Sequence, residues 1–223
     1  MKAIIIGSTG LTGKKLLIHL LTNPAYTEVI SVSRAPVQLA HPKLIEVMVD
    51  FEHLDLYREK LAGDHYFCCL GTTIKKARTK ENFLKVDLEY PLAFASIAKS
   101  HNAKSFSVIS AMGAKSDSSI FYNQVKGRLE LELKELALEK LIIYRPGLLL
   151  GVREERRAGE GAMTTLSHFL SRFISEKKMS SWVTDSNHLS EVMSQFALKS
   201  KRQVEVLSAP DIFKMAQSYQ EHL

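Results

Sequence analysis

The chain of 223 residues is poor in cysteine and contains no long hydrophobic run. Its two cysteines, Cys68 and Cys69, are adjacent, and a disulfide between them would strain both the bond and the backbone. We therefore expect a reduced, cytoplasmic setting. No stretch approaches the roughly 18 uninterrupted apolar residues of a membrane span, so we expect no membrane association. The CxxC, HExxH and Cys/His metal motifs are also missing, which predicts that no metal is bound.

Glycine and proline are scarce as well, with 11 and 6 residues, whereas 45% of the side chains are hydrophobic. This composition excludes collagen-like and disordered chains and predicts one globular domain over residues 1–223. The formal net charge of +6 is explained by a small anionic ligand as well as by nucleic acid. We expect no nucleic-acid partner, because the basic residues are scattered and aromatic residues do not alternate with them.

Short β-branched runs alternate with longer segments of helical period, which is typical of an α/β protein with a doubly wound, mostly parallel sheet. The seven predicted strands are Lys2–Ile6, Val29–Ser33, Leu44–Val49, His65–Leu70, Ser105–Ser110, Leu141–Tyr144 and Gln203–Leu207. The predicted helices are Leu11–Leu21, Glu81–Ser100 with a kink or break at Pro91, Ser118–Leu138, Met163–Ser175, Leu189–Lys199 and a last one from Asp211. Residues 146–202 are predicted to form a small helical cap on the substrate side.

A glycine-rich loop follows the first strand and directly precedes the first helix. Gly7, Gly10 and Gly13 permit a tight turn and a close approach of the backbone, and the helix start offers free N–H groups to a pyrophosphate. This pattern predicts a dinucleotide site, with a purely structural turn as the alternative. The predicted cofactor-binding residues of the loop are Gly7, Ser8, Thr9, Gly10, Leu11, Thr12 and Gly13.

The end of the second strand favours NADP(H) over NAD(H). An NAD site usually presents Asp or Glu at this position, but here Ser33 is followed by Arg34. A guanidinium binds a ribose 2′-phosphate through charge-assisted hydrogen bonds, whereas a carboxylate would repel it. A solvated loop arginine is the alternative.

Two further strand ends give weaker signals for the same cofactor. Asp50 and Phe51 follow the third strand and can reach an adenine, and Leu70, Gly71 and Thr72 follow the fourth strand and can lie along the cofactor backbone. Strand ends also carry such residues for reasons of turn geometry alone.

A candidate acid–base group lies in the predicted helix Ser118–Leu138. Tyr122 and Lys126 are four residues apart and therefore share one helix face. A nearby ammonium favours phenolate over phenol, so the pair predicts a lowered pKa for Tyr122. Ser110, at the end of the fifth strand, is predicted to polarise a substrate carbonyl. The alternative is that Ser110 caps a helix and that Tyr122 is a half-buried aromatic residue.

These motifs resemble the short-chain dehydrogenase/reductase superfamily, and specifically its atypical Tat-interacting-protein-like oxidoreductase branch. The matching stretches are 7–13, 69–73, 86–87, 122–127 and 145–147. The resemblance implies that Ser110 orients substrate, that Tyr122 exchanges the proton, and that Lys126 also holds the nicotinamide ribose. It further implies a turn at Pro146 beside the nicotinamide. The superfamily often uses an Asn as a proton relay where this chain has Asp87, so no catalytic role is assigned to Asp87.

The predicted function is therefore that of an NADP(H)-dependent oxidoreductase acting on a carbonyl or alcohol substrate. A non-catalytic NADP(H)-binding protein that docks a protein partner is the alternative, and the resemblance keeps that partner open. A nucleotide-sugar epimerase and a flavin reductase are disfavoured. The sequence is compatible with a monomer or a homodimer. We interpret Met163, Phe169, Phe173 and Trp182 as core residues rather than ligand contacts.

Overall fold

The computed structural model describes residues 1–150 and 182–220. Its strands are β1 (Lys2–Ile6), β2 (Glu28–Ser33), β3 (Leu44–Met48), β4 (His65–Cys68), β5 (Ser105–Ile109), β6 (Leu141–Arg145), β7 (Leu148–Leu150), β8 (Val183–Asp185) and β9 (Val204–Ser208). Its α-helices are α1 (Leu11–Thr22), α2 (Ile74–Ala77), α3 (Lys80–Leu84), α4 (Tyr90–Ser100), α5 (Phe121–Glu135), α6 (Ser186–Lys199) and α7 (Ala209–Gln220). A 3-10 helix spans Phe51–Leu61, and a π-helical turn spans Lys85–Glu89.

Seven strands form one parallel sheet in the order β3-β2-β1-β4-β5-β6-β9, which confirms the predicted doubly wound fold. The chain leaves β1 towards β2 and later crosses back to place β4 on the other side of β1. This reversal opens a crevice at the carboxyl ends of β1 and β4, the place where α/β proteins bind ligands. The cofactor loop predicted from the sequence begins at that crevice.

Helices cover both faces of the sheet and bury two hydrophobic layers. Because strand side chains alternate, Ile4 and Ile6 contribute to one layer and Ala3 and Ile5 to the other. The first layer includes residues of the 3-10 helix, α4 and α5, and the second includes residues of α1, α6 and α7. The rigid sheet between them fixes the strand ends that carry the candidate site.

The structure differs from the predicted elements in several places, among them an unpredicted helix α2 and a helix α5 that is shorter than the predicted Ser118–Leu138. The helix predicted over Glu81–Ser100 with a kink or break at Pro91 is instead continuous from α3 through the π-helical turn into α4, and Pro91, which has no N–H to donate, lies just beyond that turn. The 3-10 helix was not predicted, because its apolar residues lack a clear helical period. A separate parallel pair of β7 and β8 was also not predicted, since each strand has only three residues.

The cap predicted at 146–202 lies largely outside the described residues, and so does the helix predicted at Met163–Ser175. Within the described part, Asp185 caps α6 by accepting the N–H of Asn187 at 2.6 Å, and α6 and α7 pack on the second layer. The assignment of one domain with a substrate-side cap stays a prediction. No helix in residues 1–150 or 182–220 is long and apolar enough to cross a bilayer.

Candidate functional site

The glycine loop between β1 and α1 forms a tight backbone cradle. Gly7 has a φ of +79°, a left-handed conformation that favours glycine, and its carbonyl accepts the N–H of Gly10 at 3.0 Å. A Cβ at Gly13 would overlap the same carbonyl oxygen. Glycine is therefore required at positions 7 and 13, which accounts for the spacing seen in the sequence.

The start of α1 offers hydrogen-bond donors to a ligand. Gly10 is the N-cap residue and supplies no side-chain cap, so the N–H groups of Leu11, Thr12 and Gly13 have no partner within the helix. The buried hydroxyl of Thr12 also has no hydrogen-bond partner among the described residues. These donors and the positive end of the helix dipole suit a diphosphate. The cradle thus fits the dinucleotide predicted from the sequence.

The other loop side chains divide into a structural one and exposed ones. Ser8 is buried, and its Oγ lies 2.8 Å from the Oγ of Ser31 on β2, so this pair ties the loop to the sheet. Thr9 is exposed and Leu11 is half-buried. The contribution of these side chains to binding stays a prediction.

The second strand ends close to the cradle, because β2 pairs with β1 over its full length. Ser33 is buried and donates its hydroxyl to the carbonyl of Ala35 at 2.6 Å. The next residue, Arg34, is exposed. The guanidinium is therefore in water at the edge where the ribose of a bound dinucleotide is expected.

Asp50 and Phe51 both make structural contacts within the protein. The Asp50 carboxylate accepts the N–H of Glu52 at 3.0 Å and caps the 3-10 helix. Phe51 is buried and packs its ring on Tyr90, with the ring centroids 5.5 Å apart. These contacts explain both residues without a ligand, so an adenine contact stays a prediction.

The end of β4 packs directly against the cradle. A Cβ at Gly7 would lie 2.6 Å from the carbonyl carbon of Cys69, so the two loops touch through their backbones. Beyond this contact, Thr72 donates its N–H to Oδ2 of Asp87 at 2.8 Å. Leu70, Gly71 and Thr72 thus continue the cradle towards the π-helical turn that carries Asp87.

The predicted acid–base pair lies at the same edge of the sheet. The Lys126 ammonium is buried and forms an ion pair of 2.8 Å with Oδ1 of Asp87, which is also buried. It also donates to the carbonyl oxygen of Ile109, at the end of β5, over 3.4 Å. Tyr122 is half-buried and packs edge-on against Phe83, with the two ring centroids 5.8 Å apart. The structure therefore brings the cradle and the Tyr122–Lys126 pair to one crevice.

The expected lowering of the Tyr122 pKa is wrong. Burial raises the pKa of this phenol, the Lys126 ammonium lowers it, and the Asp87 carboxylate raises it again, so that the net shift is upward. Burial lowers the pKa of Lys126, but Asp87, Tyr122 and Cys68 together raise it, so that the net shift is upward. The sequence suggested a lone cation beside Tyr122, but the structure pairs that cation with an anion.

Ser110 is engaged in a buried polar cluster that the sequence analysis missed. Its hydroxyl donates to Oε1 of Glu130 at 2.6 Å. Arg145 donates to both oxygens of the same carboxylate, from Nε at 2.9 Å and from Nη2 at 2.6 Å. Glu130 lies four residues after Lys126 on α5, so the spacing of Tyr122, Lys126 and Glu130 could have indicated one functional helix face.

The turn after β6 adjoins the loop that follows Ser110. Pro146 is buried, and its carbonyl accepts the N–H of Met112 at 2.9 Å. A Cβ at Gly147 would overlap the carbonyl of Trp182. Trp182 itself is 68% exposed, so its interpretation as a core residue is wrong, while Met163, Phe169 and Phe173 lie outside the described residues. The turn and the Ser110 loop thus form the far wall of the crevice.

No protein-family model matches the chain. The protein HTATIP2 of Rattus norvegicus is 40% identical over 160 residues, which cover 70% of this chain and 66%, just under two thirds, of the rat protein. The mitochondrial protein FMP52-1 of Scheffersomyces stipitis is 35% identical and covers 75% of this chain and 74% of its own length. The mitochondrial protein fmp52-1 of Aspergillus terreus is 30% identical over a match that covers 95% of this chain and 97% of the fungal protein.

Solved structures share the fold at low sequence identity. The oxidoreductase ylbE from Lactococcus lactis has a TM-score of 0.66 and 20% identity, and covers 100% of this chain and 98% of its own. The Bordetella bronchiseptica enzyme WbmH, in complex with NAD+, has a TM-score of 0.71 and 14% identity. The match covers 99% of this chain and 80% of the WbmH chain.

These relatives correct one expectation and establish the family. The expected cytoplasmic setting is contradicted, because several fungal relatives are named mitochondrial proteins. The identities above extend over most of the chain, and the parallel sheet and glycine cradle agree with them. The chain belongs to the HTATIP2 and FMP52 family of atypical short-chain dehydrogenases/reductases.

Proposed function

We propose that this protein is an NADP(H)-dependent oxidoreductase that acts on a carbonyl or alcohol substrate, with Tyr122 as the acid–base residue. One observation carries the proposal: the phosphate cradle and the Tyr122–Lys126 pair lie next to each other at one edge of the sheet. Asp87 links them, because it contacts both Thr72 beside the cradle and Lys126 on α5. A cofactor held at one end of the crevice therefore has a proton-exchanging group at the other end.

The chain offers backbone groups for the diphosphate and side chains for the rest of the cofactor. The N–H groups at the start of α1 hold the diphosphate, and the Leu70–Thr72 backbone lies along the path towards Lys126. Lys126 and Pro146 are the residues for the nicotinamide end. When bound, the nicotinamide supplies or accepts the hydride, and the chain provides position and charge.

The preference for NADP(H) rests on Arg34. Its exposed guanidinium lies at the carboxyl end of β2, where an acidic residue would repel a 2′-phosphate. The complex of WbmH with NAD+ supports the broader class, a nicotinamide dinucleotide.

The hydrogen bonds around Ser110 indicate which residue exchanges the proton with the substrate. The Ser110 proton is already donated to Glu130, so the Ser110 oxygen is available to accept a hydrogen bond from a substrate hydroxyl or from the phenol of Tyr122. Tyr122 is then the group that donates a proton to a carbonyl oxygen or removes one from an alcohol. Ser110 orients an alcohol substrate in this scheme, and it can donate to a substrate carbonyl, as predicted from the sequence, only when its hydrogen bond to Glu130 is broken.

The proposal is tested with a panel of aldehydes, ketones and alcohols and both forms of the phosphorylated cofactor. Loss of general acid catalysis typically costs about 10²- to 10⁴-fold in rate, so Tyr122→Phe should lose at least about 100-fold in kcat/KM while it keeps its affinity for NADPH. Tyr57→Phe removes the same hydroxyl from the 3-10 helix and should leave the rate unchanged. Turnover that survives Tyr122→Phe would refute the assignment.

A non-catalytic, partner-docking protein is the second candidate. It is favoured by the apolar side chains of Leu148 and Trp182, which are 51% and 68% exposed on adjoining segments beside the crevice. NADPH binding without turnover of any compound in the panel would support this candidate. In that case, Trp182→Ala should leave NADPH affinity unchanged and weaken a cofactor-dependent protein complex.

The names of the fungal relatives support a mitochondrial location for this protein. Fractionation of the source cells with antibodies against the full chain would test this. Recovery in the mitochondrial fraction is expected, and recovery in the cytosol alone would contradict it.

A further inference from the structure

We propose that Asp87 is a positioning residue of the candidate site: its carboxylate joins the Thr72 backbone to Lys126 and cancels the ammonium charge that Tyr122 would otherwise experience. The two oxygens of Asp87 have different partners. Oδ1 pairs with the Lys126 ammonium at 2.8 Å, and Oδ2 accepts the Thr72 N–H at 2.8 Å. One side chain therefore fixes a segment of the cradle and a residue of the acid–base pair together.

The burial of this ion pair makes its charge balance important. The side chains of Lys126 and Asp87 are only 3% and 1% exposed, so water screens neither charge. A buried ammonium alone would act strongly on a phenol one helical turn away, because Coulomb interactions are much stronger in a low-dielectric interior than in water. With Asp87 beside it, the ammonium belongs to a neutral pair.

The other groups packed around Tyr122 do not replace this balance. On β4, burial raises the pKa of the Cys68 thiol to about 12, so that thiol is neutral at ordinary pH. On α3, the Lys80 ammonium lies 5.2 Å above the ring of Phe121, at the surface. On the π-helical turn, Lys85 is paired with Glu52 at 2.8 Å, and Glu89 is exposed. Glu130, one helical turn beyond Lys126, is a second buried carboxylate, but it is paired with Arg145 at 2.6 Å. Within residues 1–150 and 182–220, Asp87 is therefore the buried carboxylate that pairs with Lys126.

The consequence is that Tyr122 stays a protonated phenol at neutral pH. This agrees with its raised pKa, to which burial contributes most and Asp87 adds. A protonated phenol can donate to a carbonyl oxygen, whereas oxidation of an alcohol needs a phenolate. The site is therefore set for carbonyl reduction. This last step rests on the proposed function, but the charge balance itself does not.

The first test is the titration of Tyr122 in the full-length protein, followed by NMR with tyrosine labelled with ¹³C at Cζ. Tyr122→Phe identifies the signal among the 7 tyrosines. In the wild-type protein we expect the phenol signal to persist to at least about pH 10, the ordinary pKa of tyrosine. A transition below about pH 10 would overturn the proposal, whatever any variant does.

The second test removes the compensating charge. In Asp87→Asn the unpaired ammonium should lower the Tyr122 transition by about one pH unit or more, since an opposite charge nearby shifts a pKa by about 1 to 3 units. An unchanged or higher transition would overturn the proposal. The matched control is Glu89→Gln, which removes a carboxylate from the same π-helical turn at an exposed position and should leave the transition unchanged.

The double variant Asp87→Asn/Lys126→Met shows whether the effect acts through the ammonium. It leaves no unpaired charge, and it should return the transition to its wild-type position or above it. A transition as low as in Asp87→Asn alone would contradict the proposal. None of these titrations needs cofactor or substrate, so they can succeed where the proposed oxidoreductase activity fails. Conversely, if the wild-type protein turns over a substrate but Asp87→Asn leaves the Tyr122 transition unchanged, only the role of Asp87 is refuted.

Discussion

Replacing Glu130 with alanine should destabilise the protein strongly, although the residue lies on a surface helix of the sheet. Glu130 is 2% exposed and accepts three hydrogen bonds. One comes from the Ser110 hydroxyl at 2.6 Å, and two come from the Arg145 guanidinium at 2.9 and 2.6 Å. Its carboxylate thus connects β5, α5 and β6 at the edge that carries the candidate site.

The expected loss of stability follows from these contacts. Removal of one partner of a buried ion pair costs about 3 to 5 kcal/mol, because the other charge stays buried and unpaired. Here the Arg145 side chain is 35% exposed, so water partly replaces the lost carboxylate and reduces the cost. We expect Glu130→Ala to lower the free energy of unfolding by about 2 to 3 kcal/mol once the lost Ser110 hydrogen bond is included.

For a domain of about 150 to 250 residues, this corresponds to a decrease of roughly 4 to 12 °C in Tm, measured by circular dichroism or calorimetry. The matched control is Glu132→Ala on the same helix, which removes an exposed ion pair of 3.2 Å with Arg128 and should cost less than about 1 kcal/mol. Equal Tm values for the two variants would show that the buried cluster does not form as described.

Two further predictions concern cofactor choice and acid stability. In parallel calorimetric titrations, Arg34→Ala should weaken NADPH binding by about tenfold or more and leave NADH binding unchanged. An equal loss of affinity for NADPH and NADH would contradict the preference for NADP(H). Burial lowers the pKa of His65 from 6.5 to about 4, so its contribution to stability is complete above pH 6.5 and is lost as the pH falls to about 4. This loss amounts to about 3 kcal/mol in the free energy of unfolding measured with urea. His65→Gln should flatten the dependence of that free energy on pH between 6.5 and about 4, and an unchanged slope would contradict the role given to His65.

The parts of the fold that were predicted correctly depend on local sequence. The central strands β1, β4 and β6 are mostly apolar and buried, since both faces of a parallel sheet are covered, and this pattern is visible without tertiary information. The cradle is also local, because Gly7, Gly10 and Gly13 serve one turn and one helix start. Short pieces such as β7 and β8 carry too few residues to show a period.

The charge environment of the site could not be predicted in this way. The Lys126 partner, Asp87, is 39 positions away in the sequence, and Glu130 is linked to Ser110 and Arg145 across strand ends. The sign of the Tyr122 shift depends on these tertiary contacts and on burial rather than on the spacing of Tyr122 and Lys126. Predicting the residues of a site from spacing was therefore easier than predicting their protonation.

The claim on which the account depends most is that the cradle binds a pyridine dinucleotide. Calorimetric titration of the full chain with NADPH tests it directly, and we expect saturable binding with a Kd below about 100 µM. Gly13→Ala should weaken this binding at least about tenfold, because its Cβ would overlap the Gly7 carbonyl, while Ile18→Ala, at an exposed position of the same helix, should not. No measurable binding of NADPH or NADH by the folded wild-type protein would contradict the account.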